Sequence, residues 1–199
     1  MKKLLLFLIL PFVINGQTAF ISGNDTICDN GDEASIRVNF NGTAPFTFVY
    51  SINGNNMNSI TTQNTPYYIS TTLDGVYLLE QFNDAINFGS VSGSGLVVTL
   101  ESPQAIIHLE SDTLSILYSS ANFVSKSVPV DGIISWQWDF GDNTANDFIP
   151  NPFHVYKDSS AIYQASLIVI DDNSCADTTT YNIWVRNKFW IYIPNSFSP

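Results

Sequence analysis

Apolar and polar residues alternate in nearly every segment of this chain, and no stretch repeats its apolar positions at helical spacing. Side chains of an extended strand point to opposite faces in turn, so a period of two marks a strand with one face in a core and one in water. In the first half this pattern predicts strands over Ala19–Ile27, Ala34–Phe40, Phe46–Ile52, Asn58–Thr62, Tyr67–Thr71, Gly75–Phe82 and Ser94–Leu100. Asn53-Gly54 and Asp74-Gly75 accept positive φ and mark tight turns between them. After Glu101-Ser102-Pro103 the pattern restarts, with strands predicted over Gln104–Leu109, Thr113–Tyr118, Ala121–Ser127, Ile133–Phe140, Phe153–Tyr156, Tyr163–Ile170 and Thr178–Val185. The expectation is an all-β chain of two tandem sandwiches, residues 17–101 and 102–187, each of about 85 residues.

The first residues, MKKLLLFLILPFVINGQ, place two lysines before a short apolar run. A run too short to span a bilayer behind a positive end is the pattern of a secretory signal peptide, expected over residues 1–16. No later stretch is apolar enough to cross a membrane. Without those two lysines, five basic residues face eighteen acidic ones. Such a surface repels phosphate backbones and argues against nucleic acid as a partner. The two cysteines, Cys28 and Cys175, fall in different predicted domains, so they read as two ordinary thiols rather than a disulfide framework.

The stretch WQWDFGDN, residues 136–143, packs aromatics and acids into eight positions. One parity of the strand carries Ile134, Trp136, Trp138 and Phe140, and the other carries Ile133, Ser135, Gln137 and Asp139. The aromatic set is therefore expected to point together into the core. Asp139 faces outward, and Gly141-Asp142-Asn143 reads as a turn in which aspartate bonds nearby backbone N–H groups.

Trp138-Asp139-Phe140-Gly141-Asp142-Asn143, then Asn151-Pro152 with His154-Val155-Tyr156, then the strand opening at Tyr163, together resemble the PKD domain. That family is an immunoglobulin-like sandwich of exported bacterial proteins, so the resemblance implies two immunoglobulin-like β-sandwiches. It also implies structural roles for Trp136, Trp138, Phe140, Gly141, His154, Tyr156 and Tyr163. Asn143 and Ala161 stand where the family usually has glycine. Tyr163 resembles the tyrosine-corner position, whose hydroxyl ties back to upstream backbone. The segments ISGNDTIC, GTAPFTFVYSING and SVSGSGLVVTL look like another immunoglobulin-like module of Bacteroidetes surface proteins. The ending FWIYIPNSFSP resembles the first strand of the sorting domain of type IX secretion substrates, named for gliding motility. Residues 188–199 are thus expected to begin such a domain.

Two oxygen-rich clusters, Asp139 and Asp142 with Asn143 and Asp147, and Asp171 with Asp172 and Asn173, are the candidates for calcium. Neither has the Asp-x-Asp-x-Asp-Gly spacing with a distal glutamate, and solvated turn chemistry is the competing reading. His108 and His154 share no spacing that joins them. No HExxH, GxSxG or phosphate-cradling glycine loop occurs, so no catalytic residue and no cofactor are assigned. Asp25-Thr26-Ile27, Asp112-Thr113-Leu114 and Asp177-Thr178-Thr179 resemble bacterial O-glycosylation sites. The expected function is a non-enzymatic spacer or adhesion module at the cell surface. Its partners would be an extracellular protein or carbohydrate and the type IX export machinery. The alternative is an accessory substrate-binding region of a larger secreted hydrolase.

Overall fold

The computed structural model describes residues 16–157 and 160–187. The expected signal peptide, apart from Gly16, and the expected sorting segment 188–199 lie outside the described residues. No helix among the described residues is long and apolar enough to cross a membrane. The chain divides into two compact units, each with its own core.

The first unit contains β1 Thr18–Cys28, β2 Ala34–Asn41, β3 Phe46–Ile52, β4 Asn55–Asn56, β5 Ile60–Thr62, β6 Tyr67–Thr71, β7 Gly75–Asn83 and β8 Ser90–Leu100. They follow one hydrogen-bonded path, β4-β3-β7-β8-β1-β2-β6, with β5 also on β3. The predicted strand 58–62 is in fact β5 alone, because Asn53-Gly54 returns the chain only briefly into β4. In the path β2 and β3 are separated by three strands, yet Phe40 stacks on Phe46 at 4.8 Å and Phe48 meets Tyr67 of β6 at 5.6 Å. The sheet therefore folds over itself, and its two halves bury one aromatic and aliphatic core between them.

The second unit comprises β9 Ile107–His108, β10 Thr113–Ser115, β11 Ser120–Asn122, β12 Val124–Ser125, β13 Ile133–Asp139, β14 Phe153–Val155, β15 Ala161–Asp171 and β16 Ala176–Arg186. A four-stranded sheet runs β10-β16-β15-β13, and two short pairs, β11-β14 and β12-β9, face it. Between them lie Phe123, Trp138, Phe140, Leu167 and Ile183.

Along β13 the expected parity is corrected at its start. Ile133 is 7% exposed and Ile134 64% exposed, the reverse of the sequence expectation. The ladder with β15 shifts register between Ile133 and Ser135, and the one extra residue of this bulge turns Ile134 outward. From Trp136 onward the parity holds, but only Trp138 and Phe140 are fully inside. Trp136 is half-buried at the core's edge.

The reading of Cys28 and Cys175 as separate thiols is also corrected, because they form a disulfide. That reading rested on assigning Cys28 to the first domain. The segment Cys28–Asn30 belongs instead with the second unit. Asp29 N–H donates to the Leu100 carbonyl, Ser102 N–H donates to Asp29, and the Asn30 amide donates to Ala176.

Candidate functional site

The WDFGD loop follows β13 and is organised by its own acids. Gly141 sits at φ +77, and a Cβ there would lie 2.3 Å from the Gln164 carbonyl oxygen, so no larger residue fits this turn. Asp139 Oδ1 accepts the Gly141 N–H at 2.8 Å. Asp142 Oδ1 accepts both the N–H and the hydroxyl of Thr144, at 3.1 and 2.6 Å, and its Oδ2 lies 2.9 Å from His154 Nε2. The imidazole of His154, on β14, lies flat on Phe140 at 3.9 Å with 6° between the rings. Its edge contact with Tyr156 is 4.7 Å.

Tyr156 donates to the Phe140 carbonyl at 3.2 Å, joining the strand end to the chain after β14. Burial, and then the charge of Asp142, push its phenol far above the ordinary tyrosine range. Tyr163 stacks on Tyr156 at 4.5 Å, and its hydroxyl donates to the Lys157 carbonyl at 3.4 Å. Both acids of the loop, Asp139 and Asp142, thus accept bonds that hold the turn.

Asp171 is far from this loop. It pairs opposite Ile133 and Asp139 pairs opposite Ser166, so they stand at opposite ends of the β13-β15 ladder, about 17 Å apart at strand rise. Asp171 Oδ1 accepts the N–H groups of Asn173 and Cys175 at 3.0 and 2.8 Å. Among the described residues no three histidine, cysteine or acidic side chains gather as a metal-ligand set. The structure brings Asp139 and Asp142 into one turn and leaves Asp171 in another. His108, exposed on β9, joins neither.

Burial alone would raise the Asp142 pKa. The bonds from Thr144 and His154 outweigh that and hold its carboxyl below the usual range. A lowered native pKa gives stability that is full above the unfolded value of about 3.9 and is lost as pH falls toward the native one. Asp142→Asn is expected to cost about 1–3 kcal/mol at neutral pH and to flatten the acid limb of stability below about pH 4. Urea titrations across that range check both.

A second feature was not legible in the sequence. Beside the half-buried Trp136 opens a groove of about 270 Å³, bordered by Ser125, Ser127, Val130, Pro150 and Asn151. Ser127 Oγ accepts the Ile106 N–H at 3.0 Å and the Ser125 hydroxyl at 2.9 Å. Asn151 Oδ1 accepts the Ser125 N–H at 3.1 Å. The three polar side chains come from β12, the residues after it and the loop before β14. No local motif joins them.

Two anchors in the first unit also escaped the sequence reading. Tyr77 donates to the Leu73 carbonyl at 2.6 Å and meets the Thr71 hydroxyl at 2.7 Å, a tie across the Asp74-Gly75 turn. A tyrosine just past that turn was the available signal. Asp84 gathers the N–H groups of Thr43, Ile86 and Asn87, which hold its pKa low.

Residues 107–185 match the family model of the PKD domain. The PKD1 domain of Vibrio anguillarum Epp is 30% identical over 44% of this chain and 96% of its own length, with a TM-score of 0.37. The PKD1 domain of the Vibrio cholerae metalloprotease PrtV is also 30% identical, over 42% of this chain and 96% of its own, at 0.36. The Clostridium thermocellum CbhA fibronectin(III)-like modules are 15% identical over 87% of this chain and 96% of theirs, at 0.40. No curated protein matches the chain. The fold is all-β, of tandem immunoglobulin-like units, and through residues 107–185 the chain belongs to the PKD domain family.

Proposed function

We propose that this chain is a non-enzymatic module of the cell surface or the secreted fraction, exported by type IX secretion, that serves as spacer and adhesion element in surface contact or motility. The observation that carries this reading is the Cys28–Cys175 disulfide, since such bonds form and persist outside the reducing cytosol. The acids of the WDFGD loop agree with it. Asp139 and Asp142 accept bonds from their own turn and from His154, which favours a folded-loop role over proton transfer. The resemblance of residues 189–199 to a sorting strand supports the export route.

The test is to treat intact producing cells with a protease that cannot enter them, and to label thiols before and after reduction. A chain that is cleaved on the cells or recovered from the medium, with thiols labelled only after reduction, is the expected result. A protected chain with free thiols overturns the reading.

A second reading, an accessory region that holds polysaccharide for a secreted hydrolase, is favoured by the groove at Trp136. A concave site with one aromatic wall and a few neutral hydrogen-bonding groups suits a ligand of mixed polarity.

A further inference from the structure

We infer that the Trp136 groove is a binding site for one end of a neutral oligosaccharide. This inference deepens the second reading above and rests on it.

Four observations select that chemistry. The indole is half-buried against the core, so its orientation is fixed, while part of it remains open to the groove. The apolar C–H face of a pyranose ring has the size and polarity to lie on such a surface.

The lining carries no charged side chain, although the whole chain has a net charge of -11. A charged ligand would find no counter-ion there, whereas hydroxyl groups would find donors and acceptors.

Those donors are already oriented. The Asn151 carbonyl oxygen is held by the Ser125 N–H, which directs its amide NH₂ elsewhere. Ser127 Oγ accepts two bonds and keeps its own hydrogen to give. The backbone adds a further pair. Trp138 N–H and C=O bond Asp147 on the side away from β15. By the alternation of an antiparallel ladder, the N–H and C=O of Trp136 face that same side, toward the loop bordering the groove.

Size and edge geometry restrict the occupant. At about 270 Å³ the groove falls just under the roughly 300 Å³ at which drug-sized sites begin, so it takes the end of a chain and not a large compact ligand. An extended peptide would need a run of open edge to add as a strand, but Asp147 already occupies the edge at Trp138 and the bulge interrupts it at Ile134.

The full chain is titrated with hexasaccharides of glucose and of N-acetylglucosamine, by calorimetry and by tryptophan emission, at low and high salt. Saturable binding of one of them, with a change in emission and no loss at high salt, is expected, because a neutral site is not screened. Trp136→Ala is expected to weaken binding by at least about tenfold, as removal of a central aromatic anchor does. Trp136→Phe should retain part of the affinity, and Asn151→Ala should lose several-fold while the chain remains folded. If Trp136→Ala does not fold, the phenylalanine and alanine variants at 136 and 151 decide. No binding of either sugar at millimolar concentration, or binding that ignores both Trp136 and Asn151, overturns the site. A chain found at the surface that binds neither sugar removes this inference alone. A reduced, protected chain that binds one removes the surface reading alone.

Discussion

Trp138→Ala is expected to destabilise the second unit by about 3–5 kcal/mol, the range for removing a large buried aromatic. The indole is fully buried between the four-stranded sheet and the short pairs facing it, with Phe123 against it edge-on at 5.4 Å. Its Nε1–H donates to the Ile149 carbonyl at 3.1 Å, so the side chain also holds the loop before β14 against β13. Truncation opens a cavity in a packed interior and leaves that carbonyl without its donor. Trp138→Phe keeps most of the buried volume but loses the hydrogen bond, and should fall between alanine and the native residue. Urea titrations followed by near-ultraviolet circular dichroism give the order. Trp136→Ala is the internal control. Two positions along the same strand and on the same face, it is only half-buried, and it should cost clearly less. Equal losses at the two positions would mean that the core does not divide as described.

The contrast between the two indoles also shows what a period of two can carry. Alternation named 14 strands over the described residues because each is a local run with one face wet, and that property survives in any single sequence. The bulge at Ile134 was invisible because both parities carry an isoleucine at that end. Only the ladder with β15 decides which of the two is inside. Trp136 and Trp138 have the same parity, and the difference between them comes from what lies over each, Phe123 against Trp138 and an open groove beside Trp136. Tertiary packing sets that, not the local pattern.

The acidic turn was legible in kind. Gly141 and the aspartates around it read as turn chemistry from residue type alone, and they bond the turn's own N–H groups. Asp84, which holds three N–H groups of a first-unit loop, was missed because it lies in no recognisable turn signature. The groove at Trp136 was missed for a plainer reason. Ser125, Ser127 and Asn151 have no common spacing, and they are neighbours only because Ser125 N–H bonds Pro150 and Asn151 across the fold.

Replacing Cys28 by serine and Cys175 by alanine together is expected to cost about 2–4 kcal/mol, and to take it from the second unit. The bond closes a separation of 147 residues. Chain entropy for a loop of that length approaches 5 kcal/mol in theory, but the folded first unit lies inside it. Because β8 pairs with β1 in the first unit, which stays folded, the flexible part of the loop is roughly half as long, and the logarithmic dependence removes only about 0.6 kcal/mol. Strain and residual structure in the unfolded chain account for the rest of the reduction. Alanine suits position 175 because the residue is fully buried and a serine hydroxyl there would need a partner. Asp171 would still receive the backbone N–H of residue 175, so the turn between β15 and β16 should persist. In a unit of this size each kcal/mol lowers the melting temperature by about 4–8 °C. Calorimetry should therefore show one transition moving down and the other in place, and added reductant should reproduce the shift in the native chain and do nothing to the double variant. If both transitions moved together, the bond would be constraining more than the segment Cys28–Asn30 and the turn it meets, and the assignment of that segment to the second unit would fall.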